Sequence, residues 1–410
     1  MMVLVVYLSI FLICGIAQAF LFQNQARPFR FQVSETLKRK DTYLLLAESD
    51  AIGGVDDLSE ERKATLFQYL LRDLQVEGIP LLGVDAEKVD TLQVAMWTTL
   101  AELCDQSNAD KACMIFEDLA ISDLKIFVDD FMSIKNETRL IEAFPELQRV
   151  SLSLVGKGVG PAILIDVAEV KPEDISKSEV GKPEPQLSAA IKAFMTRLGD
   201  KTDVYPYEKE APTAYKLCRR NDVPHILSSF WNSVCELRAT DEMNLGTNVV
   251  MLPGIDSHEQ FTAISNLLTR SLCLFDGDKD FQLVHYFPDY DRNEIYPGDE
   301  ASFGHIPPLK WIKSALEQQN DGQETEQLSD KDIAVFSNAQ RQSPVPSVAI
   351  KRVSLIQPPK DSSVELELED GRKVSIGNDI WSYAKNAKLL AVEGRDALKE
   401  GLAREKSFLV

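Results

Sequence analysis

Histidine and cysteine are scarce in this sequence, and each shortage excludes a class of chemistry. The 410 residues hold four histidines, all between His225 and His305, and no His-x-x-x-His pair. There are six cysteines, with no Cys-x-x-Cys pair and no zinc-type spacing, so a metal knuckle is excluded on ligand arithmetic. Setting aside Cys14, the others (Cys104, Cys113, Cys218, Cys235 and Cys273) are odd in number and widely scattered. That is no disulfide framework, and it reads as buried free thiols in a reducing compartment. Positive charge is also short: 44 Lys and Arg against 64 Asp and Glu give a net charge of -20, which repels phosphate backbones and anionic lipid. Nucleic acid is therefore not an expected partner. No Gly-x-Ser-x-Gly elbow, P-loop or dinucleotide loop occurs, and no cofactor or metal is expected.

Long apolar runs are missing except at the start, where Val3 to Ile16 carry no charge and Ala17-Gln18-Ala19 match the small-x-small rule for signal-peptide cleavage. Residues 1–19 read as a signal peptide, with an uncleaved anchor as the alternative because no Lys or Arg precedes the run. Nothing later approaches the roughly 18 consecutive apolar residues that a span needs, so no membrane association is expected once the leader is removed. Residues 20–40 have transit-peptide composition: Phe20 to Thr36 carries Arg27, Arg30 and several aromatics, with no acid before Glu35. The Ala-Gln-Ala-Phe junction and the basic stretch after it resemble the bipartite plastid presequences of diatoms and related algae. The resemblance implies delivery to the plastid (chloroplast) stroma by the secretory route; without it, secretion is the default, and Asn136-Glu137-Thr138 becomes a candidate glycan site.

What remains has the composition of a folded chain long enough for two or three domains, and it reads as an α/β protein, mixed α+β, in three blocks. Residues 41–170 form an N-terminal α+β domain. Apolar stripes at helical spacing occur at Leu66 to Leu74, Val89 to Leu103 and Leu124 to Phe131, and two β-rich runs, Val150 to Val155 and Ala162 to Val167, pair across Gly156-Lys157-Gly158-Val159-Gly160. That glycine loop lacks phosphate-loop spacing and reads as a turn. Residues 171–186 are a Pro-bearing linker. Residues 187–319 form a central domain with helices at Leu187 to Leu198 and Val223 to Leu237, then strand Thr247 to Leu252, a helix capped by Asp256 or Ser257, and strand Phe281 to Tyr286. The last three suggest a parallel, right-handed βαβ unit, whose crevice falls near Pro253 to His258 and Pro288 to Arg292. Residues 320–347 read as a flexible connector. Residues 348–410 form a small block: strand Val348 to Ile356, a hairpin around Asp370-Gly371, and one helix with Trp381, Ala384, Leu389, Val392 and Leu398.

Chemistry could gather at the strand ends of the central block. His258, His285 and His305 with Asp256 and Asp289 form an imidazole and carboxylate set fit for acid–base work or a divalent metal, the latter without the support of a His-x-x-x-His pair, and the polar loop Asp289-Tyr290-Asp291-Arg292-Asn293 is the candidate for ligand contact. As a strand residue, His285 faces opposite to Tyr286.

The run Phe281-Gln282-Leu283-Val284-His285-Tyr286-Phe287-Pro288-Asp289-Tyr290 resembles a bacterial family, domain of unknown function 1415, in its strand ending His-Pro-Asp-Tyr. Pro297, Asp299, Ala301, Phe303 and Pro308 then fall on that family's next loop, and Tyr205-Pro206-Tyr207 on its Cys-Pro-Phe. The likeness covers residues 187–319. Where the family carries polar groups this chain has Tyr205 for Cys, Phe287 for His, and His305-Ile306 for Asn-Arg, while Pro288, Asp289, Tyr290 and Pro308 are kept. A phenol cannot replace a thiolate as nucleophile or ligand. The resemblance thus implies a noncatalytic binding or assembly module with an unidentified protein partner or small molecule. The alternative is a small-molecule enzyme with a site rebuilt from His258, His285, Asp289, Arg292 and His305.

Overall fold

The computed structural model describes residues 81–84, 89–105, 110–116, 121–136, 141–142, 144–155, 162–167, 183–201, 211–275, 277–291, 305–319, 328–355, 364–367, 373–376 and 379–410. The leader, the stripe Leu66 to Leu74, the glycine loop, Tyr205 to Tyr207 and Arg292 lie outside these residues.

The first unit begins with strand β1 (Leu81–Val84), helix α1 (Val89–Asp105), strand β2 (Lys111–Phe116) and helix α2 (Ile121–Lys135), followed by strands β3 (Ser151–Val155) and β4 (Ala162–Asp166). The sheet order is β1-β2-β4-β3, with β1 parallel to β2 and the other pairs antiparallel. The two β-rich runs pair as expected from their alternation. In α1, Leu92, Met96, Trp97, Leu100 and Leu103 recur at helical spacing and are buried, while Met114, Phe116, Ile163 and Ile165 face them from the sheet.

The second unit is preceded by helix α3 (Glu184–Lys201) and runs through strand β5 (Thr213–Leu217), helix α4 (Val223–Ala239), strand β6 (Thr247–Met251), helix α5 (His258–Leu274) and strand β7 (Phe281–Tyr286). The chain then makes a long excursion through helices α6 (Leu309–Gln319) and α7 (Asp330–Ala339) before returning as strand β8 (Ser347–Arg352). Asp222 caps α4 by accepting from the His225 N–H, and Ser257 caps α5 by accepting from the Glu259 and Gln260 N–H groups. The sheet order is β5-β6-β8-β7, with only β5 and β6 parallel neighbours.

Two expectations are corrected by this sheet. Strands β6 and β7 share a direction, as the βαβ reading has it, but β8 lies between them and pairs antiparallel with both. Strand β8 was assigned to the separate C-terminal block, yet it is an inner strand of the second sheet. The physical reason is burial on both faces: Ser347, Val348, Ala349 and Ile350 are all buried, as an inner strand demands and an edge hairpin does not. The connector expected over residues 320–347 likewise contains α7, capped by the Ser329 hydroxyl on the Asp332 N–H.

The two units repeat one topology. Each is β-α-β-α-β-β with sheet order 1-2-4-3 and the same strand senses. Their first helices, α1 and α4, are both 17 residues long and carry Trp97 and Trp231 at the ninth position, both fully buried. These equivalent helices pack antiparallel: Asp90 at the start of α1 meets Arg238 at the end of α4 (2.6 Å), and His225 at the start of α4 meets Asp105 at the end of α1 (3.0 Å). Arg270 of α5 donates to Ser133 of α2 (3.0 Å), each the thirteenth residue of its helix. Like facing like, head to tail, is what a two-fold axis between the units requires. A continuous apolar core runs through both helical layers, so the N-terminal and central blocks share their interior.

The far face of the second sheet is covered by α3. Leu187, Ile191, Phe194, Met195 and Leu198 pack there on Val249, Met251, Val284, Tyr286 and Ala349. Strands β9 (Val364–Glu367) and β10 (Lys373–Ile376) form the expected antiparallel hairpin. The single C-terminal helix is corrected to two, α8 (Asp379–Glu393) and α9 (Arg395–Lys406), parted at Gly394, whose φ of 87° is open to glycine and strained for L side chains. Leu389 and Val392 are exposed rather than part of the stripe. Helix α9 returns to α3 through Arg197, which donates to the buried Glu405 carboxylate.

Candidate functional site

A cleft of about 270 Å³ lies where β6 and β7 end and β8 begins. Its position matches the crevice expected after the strand ends, and it is lined there by Pro253, Ile255, Asp256, Phe287, Pro288 and Asp289. The remaining wall was not anticipated. Pro344, Val345 and Pro346 come from the entry to β8, Leu187 from α3, and Leu409 from the last turn of the chain. The Pro-Val-Pro just ahead of the apolar run Val348-Ala349-Ile350 was the available signal, since Pro sits at the first residues of strands whose interior cannot take it. Leu187 and Leu409 are brought in by tertiary packing alone.

The chain ties this cleft down with its own backbone. Phe287 N–H donates to Arg341 O (3.1 Å), Leu252 N–H to Pro346 O (2.8 Å) and Ile255 N–H to Leu252 O (3.0 Å). Asp256 and Asp289 are exposed at the rim, whereas Phe287 is buried in the floor.

The imidazoles gather behind this floor. The rings of His285 and His305 lie 4.6 Å apart, and His258 and Phe261 sit 4.4 and 4.8 Å from the Phe287 ring. His258 thus packs on Phe287 while His285 and His305 pack on each other, and none of the three lines the cleft. His285 is fully buried, with Nε2 3.3 Å from Thr269 Oγ1 and Nδ1 without a hydrogen-bond partner among the described residues. Burial, reinforced by the positive Arg341 nearby, pushes its pKa down to about 3, so the ring is neutral at any physiological pH. As expected for a strand, Tyr286 points the other way, onto Phe194 of α3.

Tyr290 is corrected from a loop residue open to ligand to a fully buried one. Its hydroxyl accepts from Ile306 N–H (3.2 Å) and shares a hydrogen bond with His305 Nδ1 (3.3 Å). Asp291 accepts from Asn338 of α7 (3.1 Å), and Pro308 opens α6, its carbonyl accepting from Trp311 N–H (2.8 Å). Tyr290 and Asp291 thus tie the residues after β7 to the excursion. Beside them Arg341, only 2% exposed, lies between the rings of Tyr286 and Tyr383, 5.4 and 5.2 Å from their centroids.

Burial pushes Cys113 and Cys273 up to about 12 and Cys218 to about 11, which removes the thiolate at neutral pH. Among the described residues no three His, Cys, Asp or Glu are placed to hold a metal, and no helix is long and apolar enough to cross a membrane.

With this geometry in hand, the chain was compared with protein-family models, with curated proteins and with solved structures, and it matches none.

Proposed function

We propose that the protein is a noncatalytic binding module whose ligand enters the cleft at the ends of β6 and β7. The observation that carries this reading is the separation of cavity from chemistry. The cleft is lined by prolines, aliphatic side chains, Phe287 and two rim carboxylates, while the imidazoles stand behind Phe287 with His285 neutral and buried. A general base must reach its proton within hydrogen-bond distance, and none of the three histidines lines the cleft. The likeness to the unknown-function family over residues 187–319, with its polar positions replaced at Tyr205 and Phe287, points the same way. The partner is a small molecule or a protein.

Ligand-observed NMR against a fragment library tests the reading. Hits displaced by the Val345→Trp change, which fills the cleft, support it; hits indifferent to that change, or turnover of any hit, overturn it.

The compartment belongs to the same proposal. The Ala-Gln-Ala-Phe junction and its basic sequel favour plastid delivery. A full-length fluorescent fusion imaged beside a Phe20→Ala version tests this, and a secretory signal from both overturns it.

A further inference from the structure

The chemistry of the lining narrows what the cleft can hold. Pro253, Pro288, Pro344 and Pro346 have no N–H to offer, so at four positions the backbone around the cavity presents only a carbonyl and ring carbons. Three of the neighbouring backbone donors are spent: Leu187 N–H goes to Pro183 O, Ile255 N–H to Leu252 O and Phe287 N–H to Arg341 O. At the N-terminus of α5, the usual place for an anion, the Ser257 hydroxyl already takes the N–H groups of Glu259 and Gln260. Among the described residues, the charged groups that line the cleft are two carboxylates, Asp256 and Asp289, one on the loop after each of β6 and β7, and no Lys, Arg or His lines it. Neither carboxylate makes an ion pair or side-chain hydrogen bond within the described residues.

Such a cavity has acceptors at its rim and apolar surface below. An anionic ligand would lose its hydration and meet like charge; a neutral ligand would fill the floor and leave the rim unused. We infer that the cleft takes a small organic cation, an ammonium or guanidinium group carried on an aromatic or aliphatic body, with the body on Phe287, Ile255 and Val345 and the charged end between Asp256 and Asp289. A volume near 270 Å³ suits a molecule of this kind rather than a folded partner. This inference rests on the cleft being the binding site.

Three probes of one shape separate the possibilities: phenethylamine, 2-phenylethanol and 3-phenylpropionate, titrated calorimetrically into the full chain at low salt. The expected result is that the amine binds at least tenfold tighter than the alcohol, that the acid does not bind, and that added salt weakens the amine alone. The D256N/D289N variant should lower amine affinity about tenfold to the level of the alcohol, while D330N, on α7 away from the cleft, leaves it unchanged. Alcohol and amine bound equally, with no effect of the double variant, overturn the cation class and leave the binding module standing. Tighter binding of the acid does the same. Failure of all three probes, with a fragment screen that also finds nothing at the cleft, overturns both.

Discussion

The two units share a topology and differ in one connection. In the first unit the chain passes from β3 to β4 through residues 156 to 161; in the second it leaves β7 at residue 287 and returns to β8 only at residue 346, making α6 and α7 on the way. The cleft, Arg341, His305 and the clamp on Tyr290 all belong to or touch that excursion. The comparison separates two roles. The repeated βαβαββ unit supplies the frame and the helical seam, and the ends of the insertion between the last two strands of the second unit supply one wall of the cleft. It also shows how tolerant the frame is: an inner strand can arrive from a distant part of the chain, because loop length costs closure entropy only logarithmically.

Equivalent residues in the two units have kept their burial and changed their partners. The indole of Trp97 donates to Gln93 within its own helix (3.0 Å), while that of Trp231 donates to Ser271 of α5 (3.2 Å). Removing either ring is the strongest way to break the comparison. Trp97→Ala and Trp231→Ala should each cost about 3–5 kcal/mol, the range for deleting a buried aromatic, and each should loosen both units because the core is continuous. Denaturant unfolding with hydrogen exchange checks this; loss of protection confined to one unit would mean that the two fold independently.

The next largest effect concerns β8. Ile350→Ala removes a fully buried side chain from the inner strand and should cost about 2–4 kcal/mol. Protection should fall in β6 and β7 on either side of it. If it falls in α8 and α9 alone, β8 is part of a terminal appendage after all.

Protonation distinguishes the two ends of the seam. At one end Arg238 holds Asp90 and Asp280, and the ion pairs involve no histidine. At the other, His225 has Nδ1 2.7 Å from Asp222 and Nε2 3.0 Å from Asp105, while Arg220 reaches both carboxylates (2.6 Å to Asp105, 3.3 Å to Asp222). Only a doubly protonated imidazole donates to both. Burial works against that charge, but the Asp222 hydrogen bond and the two carboxylates outweigh it, and the pKa of His225 is raised above its ordinary 6.5. A raised folded-state pKa means that this stabilisation is complete below about pH 6.5 and is lost as pH rises through the raised value. On the order of 1 kcal/mol should disappear on the alkaline side, and His225→Gln should flatten the pH dependence of the unfolding midpoint. A profile unchanged by that substitution would assign the dependence elsewhere.

The smallest effect is expected in the first sheet, where Lys111 and Asp166 face each other across β2 and β4 at 2.7 Å with both side chains partly exposed. Lys111→Ala should cost about 0.2–1 kcal/mol by thermal melt, and less at high salt.

Much of the frame could be read from the amino acids because it rests on local period. The apolar stripe of Val223 to Leu237 marks α4, Phe281 to Tyr286 is a strand with those bounds, and Pro253 and Pro288 mark where β6 and β7 stop. The shared topology left a trace too, in two 17-residue helices with Trp at the same position, but single-chain pattern reading weighs each helix alone and does not compare them. The candidate site was legible only at its rim. Asp256 and Asp289 follow strand ends and were found with the loops that carry them, whereas the burial of Tyr290 could not be seen in a polar stretch such as Asp289-Tyr290-Asp291.

By itself, then, the sequence determined the α/β class, most of the helices and strands, and the ends of the strands where a crevice must open, because hydrophobic period and proline act over a few residues. Tertiary structure alone decided that β8 threads between β6 and β7, that α1 faces α4, that the imidazoles withdraw behind Phe287, and that Leu187 and Leu409 close the cleft. Those outcomes depend on which apolar faces meet across long stretches of chain, and a pairing of faces is a property of the whole packed core rather than of any segment within it.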